Sequence, residues 1–161
     1  MDDKRKHILW IDQAHRFAQE SKDRSTKVGS VIVGSNNRMI SSGWNGMPEG
    51  VDDDIDERHE RPAKYEWFIH AEMNAVANAA RMGHATDGAT LYIDWNPAGV
   101  CGRCIAVLRN AGIVRIVGPS RPFEGKGATC STQYTSGTIS KEIATETKIE
   151  IEVVDYDPTN S

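Results

Sequence analysis

Two helical runs, each closed by a glycine and flanked by β-rich runs, constrain the fold of this chain most strongly. The first, 70–83 (HAEMNAVANAARMG), lies between the strand-like runs 38–44 (RMISSGW) and 89–95 (ATLYIDW). The second, 101–112 (CGRCIAVLRNAG), leads on to the short apolar run 113–118 (IVRIVG). Glycine just after the last apolar residue is a common helix stop. Strands that alternate with helices indicate parallel pairing in an α/β sheet.

The flanking segments extend this pattern. An amphipathic helix is predicted within 8–21 (ILWIDQAHRFAQES), where apolar residues recur at helical spacing. The run 27–33 (KVGSVIV) is joined to 38–44 by Gly-Ser-Asn-Asn, which predicts an antiparallel hairpin. Further on, 138–146 (TISKEIATE) is weakly helical and 148–154 (KIEIEVV) alternates like a half-exposed strand. We therefore predict a three-layer α/β/α fold around a mixed five-stranded sheet.

Bulk properties narrow the class of protein. A chain of 161 residues without repeats or linkers suits one domain, 1–161. The charged start and the short apolar stretches predict a cytoplasmic protein that has no signal peptide and makes no membrane contact. The net charge of −4 argues against a stable nucleic-acid partner. It leaves room for a pocket that binds one small phosphorylated ligand.

The cysteines indicate metal or redox chemistry. There are three, and Cys101 and Cys104 have the C-x-x-C spacing, which does not fit a disulfide framework. A thioredoxin-like redox motif would follow the first strand, whereas this one follows the third. A structural zinc site usually has four protein ligands. The remaining cysteine, Cys130, falls in an irregular segment and is interpreted as a small loop residue.

A catalytic zinc takes three protein ligands and leaves a fourth position for water. His70, Cys101 and Cys104 supply such a set, because cysteines three positions apart share one face of a helix. Their place in its first turn favours thiolates. Glu72 is suited to act as a proton shuttle beside the metal. Residues two apart inside a helix point away from each other. His70 and Glu72 can therefore face the same site only if His70 lies at the very start of the helix. Taken alone, His70 also fits a capping or core histidine.

These residues match the H-x-E…P-C-x-x-C signature of zinc-dependent nucleobase deaminases. Beyond it, four segments resemble the deoxycytidylate (dCMP) deaminase family, a branch of the cytidine deaminase superfamily. The segments are 21–33 (SKDRSTKVGSVIV), 43–50 (GWNGMPEG), 70–76 (HAEMNAV) and 101–117 (CGRCIAVLRNAGIVRIV). The resemblance runs from about Ile11 to Val117. It implies hydrolytic deamination of dCMP to dUMP and ammonia, for dTMP supply, with one catalytic Zn²⁺.

The resemblance also implies substrate contacts. Asn45 matches an asparagine that binds the sugar hydroxyl, although Asn-Gly is also a common turn pair. Ala71, between His70 and Glu72, is a further expected contact. The loop "SKDRST" offers cations and hydroxyls that could bind the phosphate; the alternative is a solvated loop without a ligand. The segment "PSRP", after the fourth strand, is a second candidate for contacts with sugar or phosphate. The residues expected there are Lys22, Ser25, Lys27, Ser120 and Arg121.

Regulation follows from the resemblance as well. Gly43, Trp44 and Gly46 match the family's nucleotide-triphosphate segment, where dCTP activates and dTTP inhibits. Mg²⁺ would accompany such a nucleotide. A homo-oligomer, either a dimer or a hexamer, would be required.

The sequence departs from the family in three places. Ala98, Gly99 and Val100 separate Pro97 from Cys101, where the family has proline directly before the cysteine. We expect this spacer to reshape substrate access and leave the metal site intact. Some phage members of the family carry an additional structural zinc between the "NGMP" and "HAE" segments; here that stretch holds His59 but no cysteine, which predicts a single zinc. The run 52–62 (DDDIDERHERP) within it is interpreted as a solvated loop, with a lid as the alternative. The last forty or so residues show no family feature.

Other functions remain open at this point. The same chemistry fits dCTP, a modified dCMP or another amino-substituted base, and the altered spacing before Cys101 keeps these substrates in play. An inactive, zinc-stabilised binding module is a further alternative. Glu72 argues against it, because a purely structural metal site has no need of that carboxylate.

Overall fold

The computed structural model describes residues 3–120 and 136–160. Five helices and five strands account for most of this part of the chain. In chain order they are α1 (Asp3–Ala18), β1 (Gly29–Val33), β2 (Met39–Trp44), α2 (Lys64–Trp67), α3 (Ala71–Arg81), β3 (Thr90–Ile93), α4 (Gly102–Asn110), β4 (Arg115–Pro119), α5 (Ser136–Thr147) and β5 (Glu150–Val154). Short 3-10 turns occupy Asp56–Arg58, Pro97–Gly99 and Pro158–Asn160.

The strands form one mixed sheet in the order β2-β1-β3-β4-β5. β1 runs antiparallel to both β2 and β3, whereas β3, β4 and β5 run parallel to one another. The mixed five-stranded sheet and the hairpin are therefore confirmed. The expected parallel pairing holds for β3 with β4 but is wrong for β2 with β3, because β1 lies between them. All five residues of β1 are buried, as a central strand requires, while the more polar β2 forms an edge.

Helices cover both faces of the sheet, which confirms the three-layer arrangement. On one face, Ile11 and Ala14 of α1 pack with Val31 and Tyr92. On the other face, Leu91 and Ile93 of β3 join a larger buried cluster with residues of α3, α4 and α5. Consecutive residues of β3 thus serve opposite cores, as the twofold alternation of a strand dictates.

α1 begins earlier than its apolar pattern predicts, at Asp3 rather than near Ile8. The added turn is mostly charged and exposed, but His7 within it is buried and its Nδ1 lies 3.0 Å from the Tyr92 hydroxyl. A polar contact therefore anchors a turn that hydrophobic spacing alone does not predict. Among residues 3–120 and 136–160, no helix combines the length and apolar character needed to cross a bilayer.

The topology gathers several chain segments at one edge of the sheet. β2, β3, β4 and β5 all point in one direction, so their carboxyl ends share an edge. α3 lies on the route from β2 to β3 and α4 on the route from β3 to β4. Each helix therefore starts at the edge where the preceding strand ends. In open α/β sheets this edge is where ligands bind.

Candidate metal centre

The starts of α3 and α4 bring the three predicted metal ligands together. The ligand atoms of His70, Cys101 and Cys104 all lie within 4.8 Å of one another. His70 Nδ1 is 3.2 Å from Cys104 Sγ and 3.5 Å from Cys101 Sγ. A tetrahedral zinc with Zn–N near 2.0 Å and Zn–S near 2.3 Å would set such ligands about 3.5 Å apart. The arrangement therefore fits zinc, and one coordination position remains for water.

Local backbone geometry explains how the spacings work. His70 is the N-cap of α3 and has extended backbone angles, as the H-x-E spacing predicts. Cys101 is likewise the N-cap of α4, and its Sγ accepts a hydrogen bond from the Cys104 backbone N–H. Both thiols are buried. A thiolate at a helix start is stabilised by the unpaired N–H groups and by the helix dipole.

Glu72 lies in the first turn of α3, two residues after His70, and is 5% exposed. Burial raises the pKa of its carboxyl group above the ordinary value, the nearby Cys101 and Asp94 raise it further, and His70 opposes them. A buried carboxyl group beside a metal centre, with a raised affinity for a proton, is suited to take up and release one during a reaction.

The first turn of α3 is held directly against the sheet. Ser30 in β1 donates a hydrogen bond of 2.9 Å to the carbonyl of Ala71. Gly43 in β2 lies so close that a Cβ there would be 2.5 Å from that same carbonyl oxygen and 2.4 Å from the Ala75 backbone nitrogen. Ala71 itself is fully buried. Packing alone therefore requires glycine at position 43, and the nucleotide contact predicted there remains a prediction.

The spacer before Cys101 folds into defined structure. Asn96 caps the 3-10 turn Pro97–Gly99 through its side chain, which accepts a hydrogen bond from the Ala98 backbone N–H. Val100 is 2% exposed and belongs to the same core cluster as Cys101. The carbonyl of Val100 accepts a hydrogen bond from the Ser140 hydroxyl in α5. The spacer is therefore packed against the start of α4 and against α5, and its expected effect on substrate access remains a prediction.

A second polar cluster lies where α1 connects to β1. We call it the Asp23 cluster; it consists of Asp23, Ser25, Asn45 and Lys64. The Lys64 ammonium is 2.7 Å from Asp23 Oδ1, with side chains 6% and 3% exposed. Asn45 Nδ2 donates to Asp23 Oδ2 at 3.0 Å, and Lys64 also donates to the Ser25 hydroxyl. Sequence reasoning missed Lys64 and Asp23, because their residue types give no motif and they lie 41 positions apart.

The Asn45 side chain makes three of its four possible hydrogen bonds within the protein. Besides Asp23, its Nδ2 donates to the Thr26 carbonyl at 2.8 Å, and its Oδ1 accepts from the Val28 backbone N–H at 2.8 Å. Both amide hydrogens are thus used internally, which leaves one lone pair of Oδ1 for any ligand. The predicted sugar contact remains a prediction, and the structure gives this asparagine a role in fixing the loop.

The cations expected to bind phosphate contact other groups of the protein. Lys22 Nζ lies 2.9 Å from the carboxylate of Asp53. Arg24 contacts Asp56 at 2.7 Å, and Lys27 donates to the Gln19 carbonyl at 3.3 Å. Two aspartates of the run 52–62 therefore form ion pairs with the loop 22–27. The interpretation of the run 52–62 as a solvated loop did not include these pairs. Phosphate binding by these residues remains a prediction.

The other predicted contacts lie at the same edge or outside the described residues. Ser120 is exposed just after β4, and its backbone N–H donates to the Val154 carbonyl. Trp44 stacks on Phe17 with ring centroids 6.5 Å apart. Gly46 exchanges backbone hydrogen bonds with Ile69, the residue before His70. Arg121 and Cys130 lie outside the part of the chain that the structure describes.

Asp94 is a further residue that the sequence did not reveal. It follows β3 directly and is 1% exposed. Its Oδ1 accepts a hydrogen bond of 2.8 Å from the Gly29 backbone N–H, and its Oδ2 lies 3.2 Å from His15 Nδ1. The one hint in the sequence is that Asp94 is an acidic residue directly after an apolar strand. In the fold it joins α1 to the sheet edge that holds the metal centre.

Comparison with known proteins agrees with this geometry. The sequence profile of the cytidine and deoxycytidylate deaminase zinc-binding region matches residues 4–118. The chain belongs to this deaminase family. It is therefore a zinc-binding hydrolytic deaminase, and the cluster of His70, Cys101 and Cys104 supports a bound Zn²⁺.

Relatives of this deaminase span most of its length. It is 32% identical to human deoxycytidylate deaminase over 155 residues, which covers 89% of this chain and 82% of the human protein. It is also 32% identical to the deoxycytidylate deaminase of phage T4, over 65% of this chain and 72% of the phage protein. Among solved structures, the dCMP deaminase of cyanophage S-TIM5 matches with a TM-score of 0.69 at 23% identity, covering 96% of this chain and all of that one. The last match establishes the fold.

Proposed function

We propose that this deaminase converts deoxycytidylate (dCMP) to dUMP with release of ammonia, and thereby supplies dTMP synthesis. The main support is the sequence identity with human deoxycytidylate deaminase. The alignment covers 89% of the chain, and so extends well beyond the metal-binding motif. The cyanophage enzyme with the same fold has been crystallised with dCMP and dUMP. The net charge of −4 is compatible with a small nucleotide and unfavourable for a polynucleotide.

The chemistry follows from the arrangement at the two helix starts. His70, Cys101 and Cys104 would hold the zinc, which would supply activation of a water molecule for attack at neutral pH. Glu72 is buried next to these ligands, where its carboxyl group takes up the proton that water loses. It delivers this proton to the ring nitrogen, then takes the second proton of the water from the new C4 hydroxyl as the C4 carbonyl forms and passes it to the departing amine. In balance, the C4–N bond of cytosine breaks, a C4–O bond forms, and ammonia leaves.

Substrate contacts are part of the proposal. We propose that the nucleotide lies at the shared strand edge, with Ala71 beside the base and the remaining lone pair of Asn45 Oδ1 near the sugar. Lys22, Ser25 and Lys27 on one side, and Ser120 on the other, would face sugar and phosphate; Arg121, outside the described residues, is also proposed to bind the phosphate. Support comes from the position of Ser120 after β4 and from the backbone pairing of Gly46, the residue after Asn45, with Ile69, the residue before His70.

Substrate profiling tests the proposal directly. Purified protein is incubated separately with dCMP, dCTP, deoxycytidine, cytosine and 5-methyl-dCMP, and ammonia release is followed. We expect the highest kcat/KM with dCMP. If dCTP or 5-methyl-dCMP were turned over in preference to dCMP, the proposed substrate would be wrong but the proposed deamination reaction would stand. Absence of turnover with every phosphorylated cytosine nucleotide would refute the proposal.

Assembly, regulation and location are proposed on the family membership. We propose a homo-oligomer, a dimer or a hexamer, in which dCTP activates and dTTP inhibits at Gly43, Trp44 and Gly46, with Mg²⁺ on the triphosphate. Light scattering gives the assembly state, and initial rates with each nucleotide, with and without Mg²⁺, give the regulation. A monomer insensitive to both nucleotides would contradict this. We also propose a cytoplasmic location, which cell fractionation tests.

A further inference from the structure

The Asp23 cluster contains the most deeply buried ion pair among the described residues. Lys64 and Asp23 are 5% and 4% exposed. Other ion pairs at this edge, such as Lys22 with Asp53, keep at least one partner largely exposed. Withdrawing both charges from water is costly, and the attraction between them does little more than offset that cost. Such a pair is therefore better explained by the geometry it imposes than by overall stability.

Asp23 sets the path of the loop that follows it. Its Oδ1 accepts hydrogen bonds from the backbone N–H groups of Ser25 at 2.8 Å and Thr26 at 3.1 Å, and from the Lys64 ammonium at 2.7 Å. Burial alone would raise the pKa of Asp23, but the hydrogen bonds from Lys64, Ser25 and Thr26 outweigh it and lower the pKa. The carboxylate is therefore charged and holds the turn in one conformation.

Lys64 links this loop to the metal centre. It lies in α2, six residues before the ligand His70, and its ammonium also donates to the Ser25 hydroxyl. The Ser25 hydroxyl is in turn 3.1 Å from Asp23 Oδ1, so its own hydrogen is directed to the carboxylate. One ammonium group thus ties the segment leading into His70 to the loop between α1 and β1.

A second connection runs in parallel through Asn45. Its side chain holds Asp23, Thr26 and Val28. The next residue, Gly46, is paired with Ile69 through two backbone hydrogen bonds. The loop is therefore attached at two places near the metal centre. One is the segment that leads into α3, through Lys64, and the other is the end of β2, through Asn45. Displacement of the Lys64 ammonium would loosen one of these two attachments.

We propose that Lys64 is a positioning residue, which acts through Asp23 to set the substrate-facing loop 22–28 relative to the zinc centre. It does not touch the substrate. This inference rests on the proposed function, in which that loop faces the nucleotide. Loss of the pair should weaken nucleotide binding more than the chemical step, because Glu72 and the metal ligands lie on other elements.

The test replaces the whole pair, Asp23→Asn with Lys64→Met. The asparagine Oδ1 keeps an acceptor for the Ser25 and Thr26 N–H groups, while the hydrogen bond from Asn45 Nδ2 is lost. The double replacement leaves no unpaired buried charge. We expect one zinc per chain, a melting temperature close to that of the wild type, and a KM for dCMP raised about tenfold or more with kcat within about twofold. Hydrogen exchange of the Ser25, Thr26 and Val28 amides should be faster. Lys6→Met, at an exposed pair with Asp3 in α1, is the matched control.

A conservative variant keeps the inference testable if the double variant does not fold. Lys64→Arg retains the charge but replaces a compact ammonium with a wide planar guanidinium, so the loop should shift with the same KM effect in smaller degree. Unchanged KM and unchanged amide exchange would overturn the proposal. A parallel loss of kcat, zinc and melting temperature in both variants would also overturn it, by indicating a purely structural pair.

Failure of the proposed function and failure of the positioning role give different results. If wild-type protein does not deaminate dCMP, the proposed function is wrong, while the amide exchange of loop 22–28 still decides whether Lys64 positions it. If wild-type protein deaminates dCMP and the variants match it in KM and in exchange, only the positioning role is wrong.

Discussion

The metal centre and the Asp23 cluster are both buried polar groups at the same edge of the sheet, yet they are built differently. His70, Cys101 and Cys104 come from the first turns of two helices and present ligand atoms to a common point. In the Asp23 cluster, Asp23 and Asn45 direct their polar atoms to other groups of the protein. The first arrangement is completed by an ion, and the second is complete in itself. The difference separates the part that performs chemistry from the part that holds the substrate-facing loop.

Removal of a cysteine ligand should have the largest effect. Cys104→Ala is expected to abolish zinc binding and turnover, because two ligands cannot hold the metal in a defined geometry. Zinc per chain by elemental analysis and ammonia release measure this. Cys130→Ala is the matched control and should retain one zinc. Full activity of Cys104→Ala would contradict the assignment of the centre.

Glu72→Gln should separate metal binding from catalysis. The amide has nearly the same shape but cannot shuttle a proton, so we expect kcat to fall by about 10²–10⁴-fold while zinc stays bound. Glu66→Gln, at an exposed position of α2, controls for the loss of one carboxylate. Turnover by Glu72→Gln near the wild-type rate would remove this residue from the mechanism.

Two glycines near the metal centre offer a matched pair. Gly43→Ala should lower the free energy of unfolding by about 1–3 kcal/mol, because its Cβ would press into the α3 backbone. A Cβ at Gly46 would meet nothing within 4 Å. Gly46→Ala should therefore change stability by less than about 0.5 kcal/mol. Chemical denaturation measures both, and equal effects would show that the close approach at Gly43 has no consequence.

Asn45→Ala tests whether the Asp23 cluster is complete without substrate. Loss of its three internal hydrogen bonds should cost about 1–3 kcal/mol in the nucleotide-free protein. Denaturation with and without dCMP is the measurement. An unchanged free enzyme with weakened dCMP binding would instead assign Asn45 to the substrate alone, and the contrast with the metal centre would be lost.

The pH dependence of stability that arises from Asp23 should be the smallest of these effects. The folded pKa of Asp23 is lowered below its ordinary 3.8, so the unfolded chain takes up this proton first as pH falls. Its contribution to stability is therefore fully present above pH 3.8 and is lost progressively below that value. The difference in unfolding free energy between wild type and Asp23→Asn should shrink over this range. A difference independent of pH would mean that Asp23 is not the charged centre of its cluster.

The contrast between the two clusters also marks what the sequence could predict. His70 with Glu72, and Cys101 with Cys104, form two short motifs that match the deaminase signature, so the sequence alone predicts them together. The partnership of Lys64 with Asp23 depends on the path of the chain between them, which no local pattern encodes. The same reason explains the strand order: periodicity identified β1, but only tertiary packing placed it between β2 and β3.

The metal ligands belong to helix starts, whereas the segments around them are connecting loops. Residues added before Cys101 are absorbed in a capped turn and a buried Val100, with the ligand geometry retained. The connection between β2 and α3 likewise has its own helix, α2, and its own 3-10 turn. The arrangement of the ligands in this chain therefore depends on the two helix starts, and the loops that lead to them are held by contacts of their own.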